Sequence, residues 1–295
     1  MRKNIVFYII LLISIFGAIF FGIKIYNALI EYKKGNDIYN EISEIAHNQK
    51  SIEPTVSIAN TTEPISVFEQ ETVTPTTSHV IETYSVPTQV PEQKITQSVE
   101  LIVTPEKKRS SMNFDGLLAI NEDVKGWIRL DDSKVDYPVL QYSDNDFYLH
   151  HAITGEWNKV GTPYIDYRCA GNFTDRITVI YGHYMENGTM FTDFHKYKSQ
   201  KYYEDHPVIN LYTPDGDYDI LPVAGVFQNV EYWDFTLDFD TDESFLHYID
   251  NWKAVSTFRN NVTYNSSDKF VVLTLCTYDI ENGRYLLVGK LVPKE

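Results

Sequence analysis

Cysteine is scarce in this sequence: only Cys169 and Cys276 occur among 295 residues. Two cysteines allow at most one disulfide, and thiol chemistry has only two candidate carriers. Cys276 follows the apolar run Phe270-Val-Val-Leu-Thr-Leu, which is typical of a buried β-strand. The strand-end position of Cys276 favours a free thiol, and Cys169 is then interpreted as an ordinary half-buried residue.

Positive charge is also scarce, with 25 Lys and Arg against 41 Asp and Glu and a formal net charge of −16. Nucleic-acid binding depends on neutralising phosphates, so we predict no nucleic-acid partner. The histidines show no metal-ligand spacing. An acidic cluster is interpreted as a solvated face rather than a calcium site, because its spacing matches no EF-hand loop; it comprises Asp234, Asp238, Asp240, Asp242 and Glu243. We expect neither a metal nor a cofactor.

Glycine is absent from residues 51–111, where Thr, Ser, Pro, Val and Glu dominate. With no sustained apolar period, this composition predicts an extended, disordered spacer that would hold a folded domain away from a membrane. Residues 26–49 have apolar positions at roughly helical spacing, interrupted at Gly35-Asn36, and predict a membrane-proximal helix. Helix and spacer together make up residues 26–111.

The N-terminus carries nineteen consecutive uncharged, mostly apolar residues at positions 5–23. A helix of this length spans a bilayer core of about 30 Å. A cleaved signal peptide would have a shorter apolar core and a small-residue cleavage site, so an uncleaved anchor over residues 1–25 is preferred to a signal peptide or a buried helix. We predict a single-pass protein of the cell membrane, with the N-terminus in the cytoplasm and the body of the chain outside.

Residues 112–295 are the predicted folded domain. A short helix pattern at 114–120 opens it, and further helices are expected at 190–197 and 242–252. Pro138 suits an edge strand. The strand candidates lie at 126–130, 135–141, 160–165, 176–181, 208–212, 218–226, 269–275 and 284–291. Many short strands with few helices predict a mostly-β fold, a single closed or nearly closed β-barrel with short helical insertions.

Three chemically active side chains lie at the ends of predicted strands. Cys276 ends one strand, His183 ends the run Ile177-Thr-Val-Ile-Tyr-Gly, and Arg284 opens the apolar run that follows Cys276. A thiol, an imidazole and a guanidinium are the groups that a cysteine acyl-transfer enzyme needs. Taken singly, each has a structural interpretation: a core cysteine, a loop histidine with a structural hydrogen bond and a solvated arginine.

Taken together, these residues and their surroundings resemble a known family. The stretches that carry the resemblance are Phe114-Asp-Gly-Leu-Leu-Ala-Ile-Asn-Glu-Asp-Val-Lys-Gly-Trp-Ile, Val135-Asp-Tyr-Pro-Val-Leu-Gln-Tyr-Ser-Asp-Asn, Tyr164-Ile-Asp-Tyr-Arg, Ile180-Tyr-Gly-His-Tyr-Met-Glu-Asn-Gly-Thr-Met-Phe and Cys276-Thr-Tyr-Asp-Ile-Glu-Asn-Gly-Arg. Residues from about 113 to 294 are similar to class B sortases, the membrane-anchored cysteine transpeptidases of Gram-positive bacteria.

The resemblance implies a sortase-like β-barrel for the folded domain, and a mechanism; the long Thr/Pro-rich spacer is more extended than the family leads us to expect. Cys276 would attack a threonine carbonyl in a C-terminal sorting signal of a secreted protein. His183 would act as general acid and base, and Arg284 would stabilise the oxyanion or the substrate. The partners implied are the sorting-signal peptide and an amine acceptor from cell-wall peptidoglycan or a pilin.

The sequence departs from the family pattern just before the nucleophile. The family has Thr-Leu-x-Thr-Cys, whereas Val272 and Leu275 replace the two threonines here. A register that restores both threonines would put Tyr278 at the nucleophile position, so the register with Cys276 is preferred. Thr274, Leu275 and Tyr184, the last at a position where the family often has Asn, are the expected substrate-binding residues. A catalytically silent peptide-binding module and a hydrolytic cysteine peptidase on the same scaffold remain the alternatives.

Overall fold

The structure is a computed structural model, which describes residues 2–48, 110–229, 231 and 234–294. The predicted disordered spacer lies outside the described residues, apart from its last two positions. Residues on both sides of that gap belong to one compact unit.

Eight strands form a closed barrel in the order β1-β2-β3-β4-β7-β8-β6-β5, with β5 pairing back onto β1. The prediction of a closed, mostly-β barrel is therefore confirmed. The strands are β1 (Val124–Arg129), β2 (Asp136–Leu140), β3 (Tyr164–Ile165), β4 (Ile177–Tyr181), β5 (Ile209–Thr213), β6 (Gly216–Asn229), β7 (Lys269–Thr277) and β8 (Gly283–Pro293).

The helices lie before the barrel and in its connections. They are α1 (Arg2–His47), α2 (Phe114–Ile120), α3 (Gln200–Asp205) and α4 (Asp242–Ala254), with 3₁₀ helices at Phe147–Leu149 and Phe191–Lys198. Asn113 caps α2 by accepting from the amide of Gly116, and Thr241 and Ser244 form a capping box at the start of α4.

Strand β7, which ends at the candidate site, is buried over most of its length. It runs parallel to β4 and antiparallel to β8, and residues 270–275 are all buried. Parallel strands that are covered on both faces have continuous apolar runs rather than alternating ones. Here Phe245 of α4 contacts Phe270 of β7, with ring centroids 5.8 Å apart.

Two predicted details of the strands have different outcomes. Pro138 on β2 pairs with Trp127 of β1, whereas β2 meets β3 through Leu140 and Tyr164, so the proline lies where β2 is paired on one side. The strand expected over 160–165 is observed only as Tyr164–Ile165. Residues before it turn away because Gly161 has a φ of +59°.

Helix α1 is continuous from Arg2 to His47, so the predicted interruption at Gly35-Asn36 was wrong. The helix passes so close to the barrel that a Cβ on Gly35 would lie 2.8 Å from Cγ2 of Val160. Glycine is therefore required by the contact between α1 and the barrel, and the helix tolerates its cost of about 1 kcal/mol relative to alanine.

The C-terminal part of α1 packs directly onto the barrel domain. Tyr39, Ile42 and Ala46 are buried, and the amide of Asn113 donates to the carbonyl of Ala46 over 2.9 Å. The N-terminal part is exposed and, by length and composition, apolar enough to cross a membrane. The expected role of residues 51–111, to hold the folded domain away from a membrane, concerns residues that lie almost entirely outside the described ranges, and it stays a prediction.

Candidate active site

Cys276 and Arg284 are brought together by the register of the β7–β8 pair. They are directly opposite one another in this antiparallel ladder. Directly opposite residues project from the same face, with Cβ atoms about 4.5–5.5 Å apart. Arg284 lies eight residues after Cys276 because the two are cross-strand partners joined by a short loop.

His183 reaches the same place through the parallel pair of β4 and β7. Tyr181 is the partner of Thr274, and the amide of Gly182 donates to the carbonyl of Thr274 over 3.0 Å. His183 is the next residue, so it leaves the barrel beside the end of β7 that carries Cys276.

One cleft of about 290 Å³ joins the three groups. The described residues that line it are Asn145, Leu149, Thr162, Tyr164, Tyr181, Gly182, His183, Thr274, Leu275, Cys276 and Arg284. The cleft lies at the end of the barrel where β4 and β7 finish. It therefore offers a thiol, an imidazole and a guanidinium to a single bound group.

The surroundings of His183 define its protonation state. Its Nε2 lies 2.7 Å from the carbonyl oxygen of Leu149, which can only accept, so Nε2 carries the proton and Nδ1 is the free nitrogen. Burial lowers the pKa of His183, and the nearby His150 and Arg284 lower it further, against the hydrogen bond to Leu149. The ring is therefore neutral at neutral pH and able to accept a proton.

Two groups in the cleft have unused hydrogen-bonding capacity. Within the described residues, the buried hydroxyl of Thr274 has no hydrogen-bond partner. Arg284 forms no ion pair with a carboxylate of the described chain, and its Nη1 donates to the carbonyl of Gly283 over 3.2 Å. Leaving the buried Thr274 hydroxyl without a partner costs free energy, which a hydrogen bond from a substrate would recover. Arg284 likewise has N–H groups that a substrate could use.

The two other residues expected to bind substrate are placed differently. Leu275 is 1% exposed and belongs to the hydrophobic core of the barrel. Tyr184 packs edge-on against His195 and Tyr278, with ring centroids 5.3 and 5.9 Å away, and is not among the residues that line the cleft. Their substrate contacts stay predictions.

The environment of Cys169 differs from that of Cys276. It is 6% exposed, both cysteines are free, and the Cys169 thiol donates to the carbonyl of Ile177 over 3.7 Å. Burial raises the pKa of this thiol to about 11, so it is protonated at neutral pH. The expected half-buried position is in fact fully buried.

A network behind the cleft was missed by sequence reasoning. The hydroxyl of Tyr181, stacked on Tyr164 at 5.2 Å, donates to Oδ2 of Asp166 over 2.8 Å. The Arg168 guanidinium holds both oxygens of Asp166, at 2.9 and 2.8 Å, and reaches Asp234 over 2.7 Å. Burial alone would raise the pKa of Asp166, but these hydrogen bonds outweigh it and hold the pKa below its usual range. The stretch Tyr164-Ile-Asp-Tyr-Arg carried part of the resemblance, yet no role for it could be deduced.

The loop after Cys276 is fixed by a second polar cluster. Asp279 accepts from the hydroxyl of Thr277 over 2.9 Å and from Lys198 over 3.3 Å, and it contacts His195. Because Thr277 directly follows Cys276, the cluster ties the end of β7 to the 3₁₀ helix Phe191–Lys198.

Two of the five residues of the acidic cluster near α4 pair with arginines. Asp234 binds Arg168, and Asp242 binds Arg176. Across the described ranges, no group of three or more His, Cys, Asp and Glu side chains is arranged to hold a metal ion.

Comparison with known proteins places this architecture among the sortases. No family model matches the chain. Sortase B of Listeria monocytogenes serovar 1/2a is 30% identical over 210 residues, which cover 68% of this chain and 85% of that protein. Sortase B of Staphylococcus aureus is 26% identical over 202 residues, which cover 68% of this chain and 83% of that protein.

Solved structures agree with the sequence relatives. A Staphylococcus aureus sortase B–substrate complex superposes with a TM-score of 0.59 at 27% identity, covering 62% of this chain and 86% of that one. Sortase B from Bacillus anthracis gives a TM-score of 0.58 at 28% identity, covering 62% and 84%. A mutant form of Clostridium perfringens sortase B gives 0.58 at 28% identity, covering 61% and 86%. The chain belongs to the class B sortase family of cysteine transpeptidases.

Proposed function

We propose that this protein is a membrane-anchored transpeptidase that cleaves a C-terminal sorting signal of secreted proteins and transfers the acyl group to an amine of the cell wall or of a pilin. The observation that carries the proposal is the shared cleft, where Cys276 and Arg284 are cross-strand partners and His183 enters from the neighbouring strand. Two structures of relatives support the substrate classes: one is a sortase B–substrate complex and another is sortase B complexed with triglycine.

The first half-reaction starts from a neutral imidazole. Nδ1 of His183 takes the proton of the Cys276 thiol as the sulfur attacks the threonine carbonyl of the sorting signal. The tetrahedral oxyanion is stabilised by Arg284, whose guanidinium stays charged throughout. The carbon–nitrogen bond then breaks, and His183 returns its proton to the leaving amine. A thioester on Cys276 remains.

The second half-reaction reverses these roles. An acceptor amine attacks the thioester, His183 takes a proton from the amine, and Cys276 leaves as a thiolate that recovers this proton. The lowered pKa of His183 suits it for accepting protons at neutral pH. The unpaired hydroxyl of Thr274 contributes a hydrogen bond to the bound peptide.

The N-terminal part of α1 is the membrane anchor in this proposal. Its apolar residues are exposed rather than packed on the barrel, as a lipid-facing helix requires. The protein would cross the cell membrane once, with the barrel on the extracytoplasmic side where secreted substrates pass.

The test uses the full chain in detergent with a panel of sorting-type peptides, with and without triglycine as the amine. We expect cleavage and a peptide–triglycine product with wild type and with Cys169→Ala, and neither with Cys276→Ala. Intact-mass analysis should show a peptide thioester on Cys276. Cleavage by Cys276→Ala would reject this nucleophile.

The cleavage assay and a labelling experiment separate the two alternatives. Release of free acid alone, even with triglycine present, would indicate a hydrolytic peptidase. A thiol-reactive peptide mimic that forms no selective adduct at Cys276 would indicate a silent binding module.

A further inference from the structure

The anchor helix contacts the barrel through residues spaced four apart along one face. Gly35 lies against Val160, Tyr39 lies against Gly161 and Thr162, and Ser43 donates to Oδ2 of Asp136 over 2.8 Å. Residues four apart share one face of a helix, so these contacts form a continuous docking stripe. One contact in this stripe lies close to the cleft.

Tyr39 makes that contact with a buried hydroxyl. The residue is 4% exposed, its hydroxyl donates to the carbonyl of Gly161, and it lies 2.8 Å from Oγ1 of Thr162. Burial raises the pKa of Tyr39, so it remains a neutral donor. Its ring packs edge-on against Tyr137 with centroids 5.4 Å apart.

The loop that Tyr39 holds is itself packed tightly on the 3₁₀ turn Phe147–Leu149. A Cβ on Gly161 would lie 2.5 Å from the carbonyl oxygen of Leu149, and the amide of Thr162 donates to the carbonyl of Tyr148 over 2.9 Å. The hydroxyl of Thr162 also donates to the carbonyl of His151 over 2.8 Å. A displacement of this loop would therefore move the turn.

The turn supplies the acceptor that orients the imidazole. The carbonyl of Leu149 receives the Nε2 proton of His183 over 2.7 Å, and both Leu149 and Thr162 line the cleft. The path from α1 to His183 thus has three short links: Tyr39 to the loop, the loop to the turn, and the turn to the ring. A second-layer acceptor of this kind fixes which nitrogen faces the reaction.

We propose that Tyr39, on the anchor helix, is a positioning residue for His183, acting through the loop at Gly161-Thr162 and the Leu149 carbonyl. The anchor helix then helps to position the active site, in addition to attaching the protein to the membrane. The inference rests on the proposed role of His183 as acid and base, and it deepens that role.

A double-mutant cycle on full-length protein in detergent tests this coupling without needing a substrate. The measurement is the rate of Cys276 alkylation by iodoacetamide between pH 6 and 9, followed by mass spectrometry, with the buried Cys169 as internal reference. The variants are Tyr39→Phe, His183→Ala and the double variant. Tyr26→Phe is the matched control, because Tyr26 lies on the same helix and is 64% exposed.

We expect Tyr39→Phe to change the alkylation rate about three- to tenfold in the wild-type background and to change it less than twofold in His183→Ala, with Tyr26→Phe silent in both. Equal changes in the two backgrounds, or no change in either, would overturn the proposal. Ser43→Ala removes a docking hydrogen bond that does not lead to Leu149, so it should lower the melting temperature without changing the alkylation rate. A rate change in Ser43→Ala of the same size would also refute the specific path.

Peptide cleavage adds a second readout. Tyr39→Phe should lower kcat about three- to tenfold and leave KM within twofold at a temperature where the variant is folded, whereas a merely structural role would lower only the melting temperature. If wild type cleaves no sorting peptide while the alkylation cycle still shows coupling, the proposed function fails and the positioning of His183 by Tyr39 stands.

Discussion

Removing the Arg168 guanidinium should destabilise the barrel and loosen one wall of the cleft. The Asp166 side chain is 0% exposed, and Arg168 binds both of its oxygens. Breaking a buried ion pair from one side costs about 3–5 kcal/mol, because the remaining charge has no partner. Arg168 is 31% exposed and Tyr181 still donates to Asp166, so we expect Arg168→Met to cost about 2–3 kcal/mol.

The loss of stability caused by Arg168→Met should depend on pH. In wild type the pKa of Asp166 is lowered, so the pair's contribution is present above the unfolded pKa of about 3.9 and is lost as the pH falls through the folded value. Without Arg168, burial would raise the pKa of Asp166. The destabilising effect of Arg168→Met should therefore be largest near pH 7 and shrink toward pH 4 as the carboxyl is protonated.

Thermal unfolding of the full chain in detergent measures the effect. A loss of 2–3 kcal/mol corresponds to a melting temperature lowered by roughly 5–10 °C for a domain of this size. Arg168→Met/Asp166→Asn should recover at least half of the loss, because the unpaired charge is gone. Arg129→Met is the control, since its ion pair with Asp131 is exposed and worth about 0–1 kcal/mol. A loss in Arg168→Met no greater than in Arg129→Met, or one that persists undiminished in the double variant, would refute the reasoning.

Three further predictions concern single side chains. Burial lowers the pKa of His183 from its ordinary value of 6.5, so the acid limb of the pH profile of kcat/KM for peptide cleavage should lie below pH 6.5. An acid limb above pH 6.5 would contradict His183 as the proton acceptor. Gly35→Ala should lower the melting temperature, because the added Cβ would meet the buried Val160. Gly22→Ala is the control and should have no such effect, since the space around Gly22 is open. Equal effects of the two substitutions would argue against tight docking of α1. Thr274→Val should leave the melting temperature unchanged or raise it, because the hydroxyl has no partner among the described residues. The same substitution should lower kcat/KM. A strongly lowered melting temperature would indicate a structural role for Thr274 instead.

The barrel and the position of Cys276, His183 and Arg284 at strand ends could be predicted from local patterns in the sequence, whereas the roles expected of these three residues came from the family resemblance. The apolar runs that end at His183 and Cys276 are strands buried on both faces, so each is evident without knowing its neighbours. Cys276 and Arg284 are close in the sequence and joined by a short loop, so an antiparallel pair brings them together.

The support of the site could not be predicted because its contacts join distant segments. Asp234 lies 66 residues from Arg168, and the acceptor of His183 is a backbone carbonyl 34 residues away, which any residue type could supply. Every residue has a backbone carbonyl, so the pattern of residue types does not indicate which carbonyl accepts this hydrogen bond. Only the folded chain shows that the Leu149 carbonyl faces His183.

Gly35 shows how a local rule fails when a tertiary contact decides. A glycine within a helical pattern is read as a break because it lowers helix propensity by about 1 kcal/mol. In α1 the missing Cβ instead lets the helix approach Val160, and this approach brings Tyr39, one turn further on, to Gly161 and Thr162. The residue that predicted an interruption of the helix is thus the one that allows its close contact with the barrel. Tyr39 of this helix donates to the carbonyl of Gly161, Gly161 packs against the carbonyl of Leu149, and that carbonyl accepts from His183, so the helix contacts the cleft's surroundings through a series of tertiary contacts.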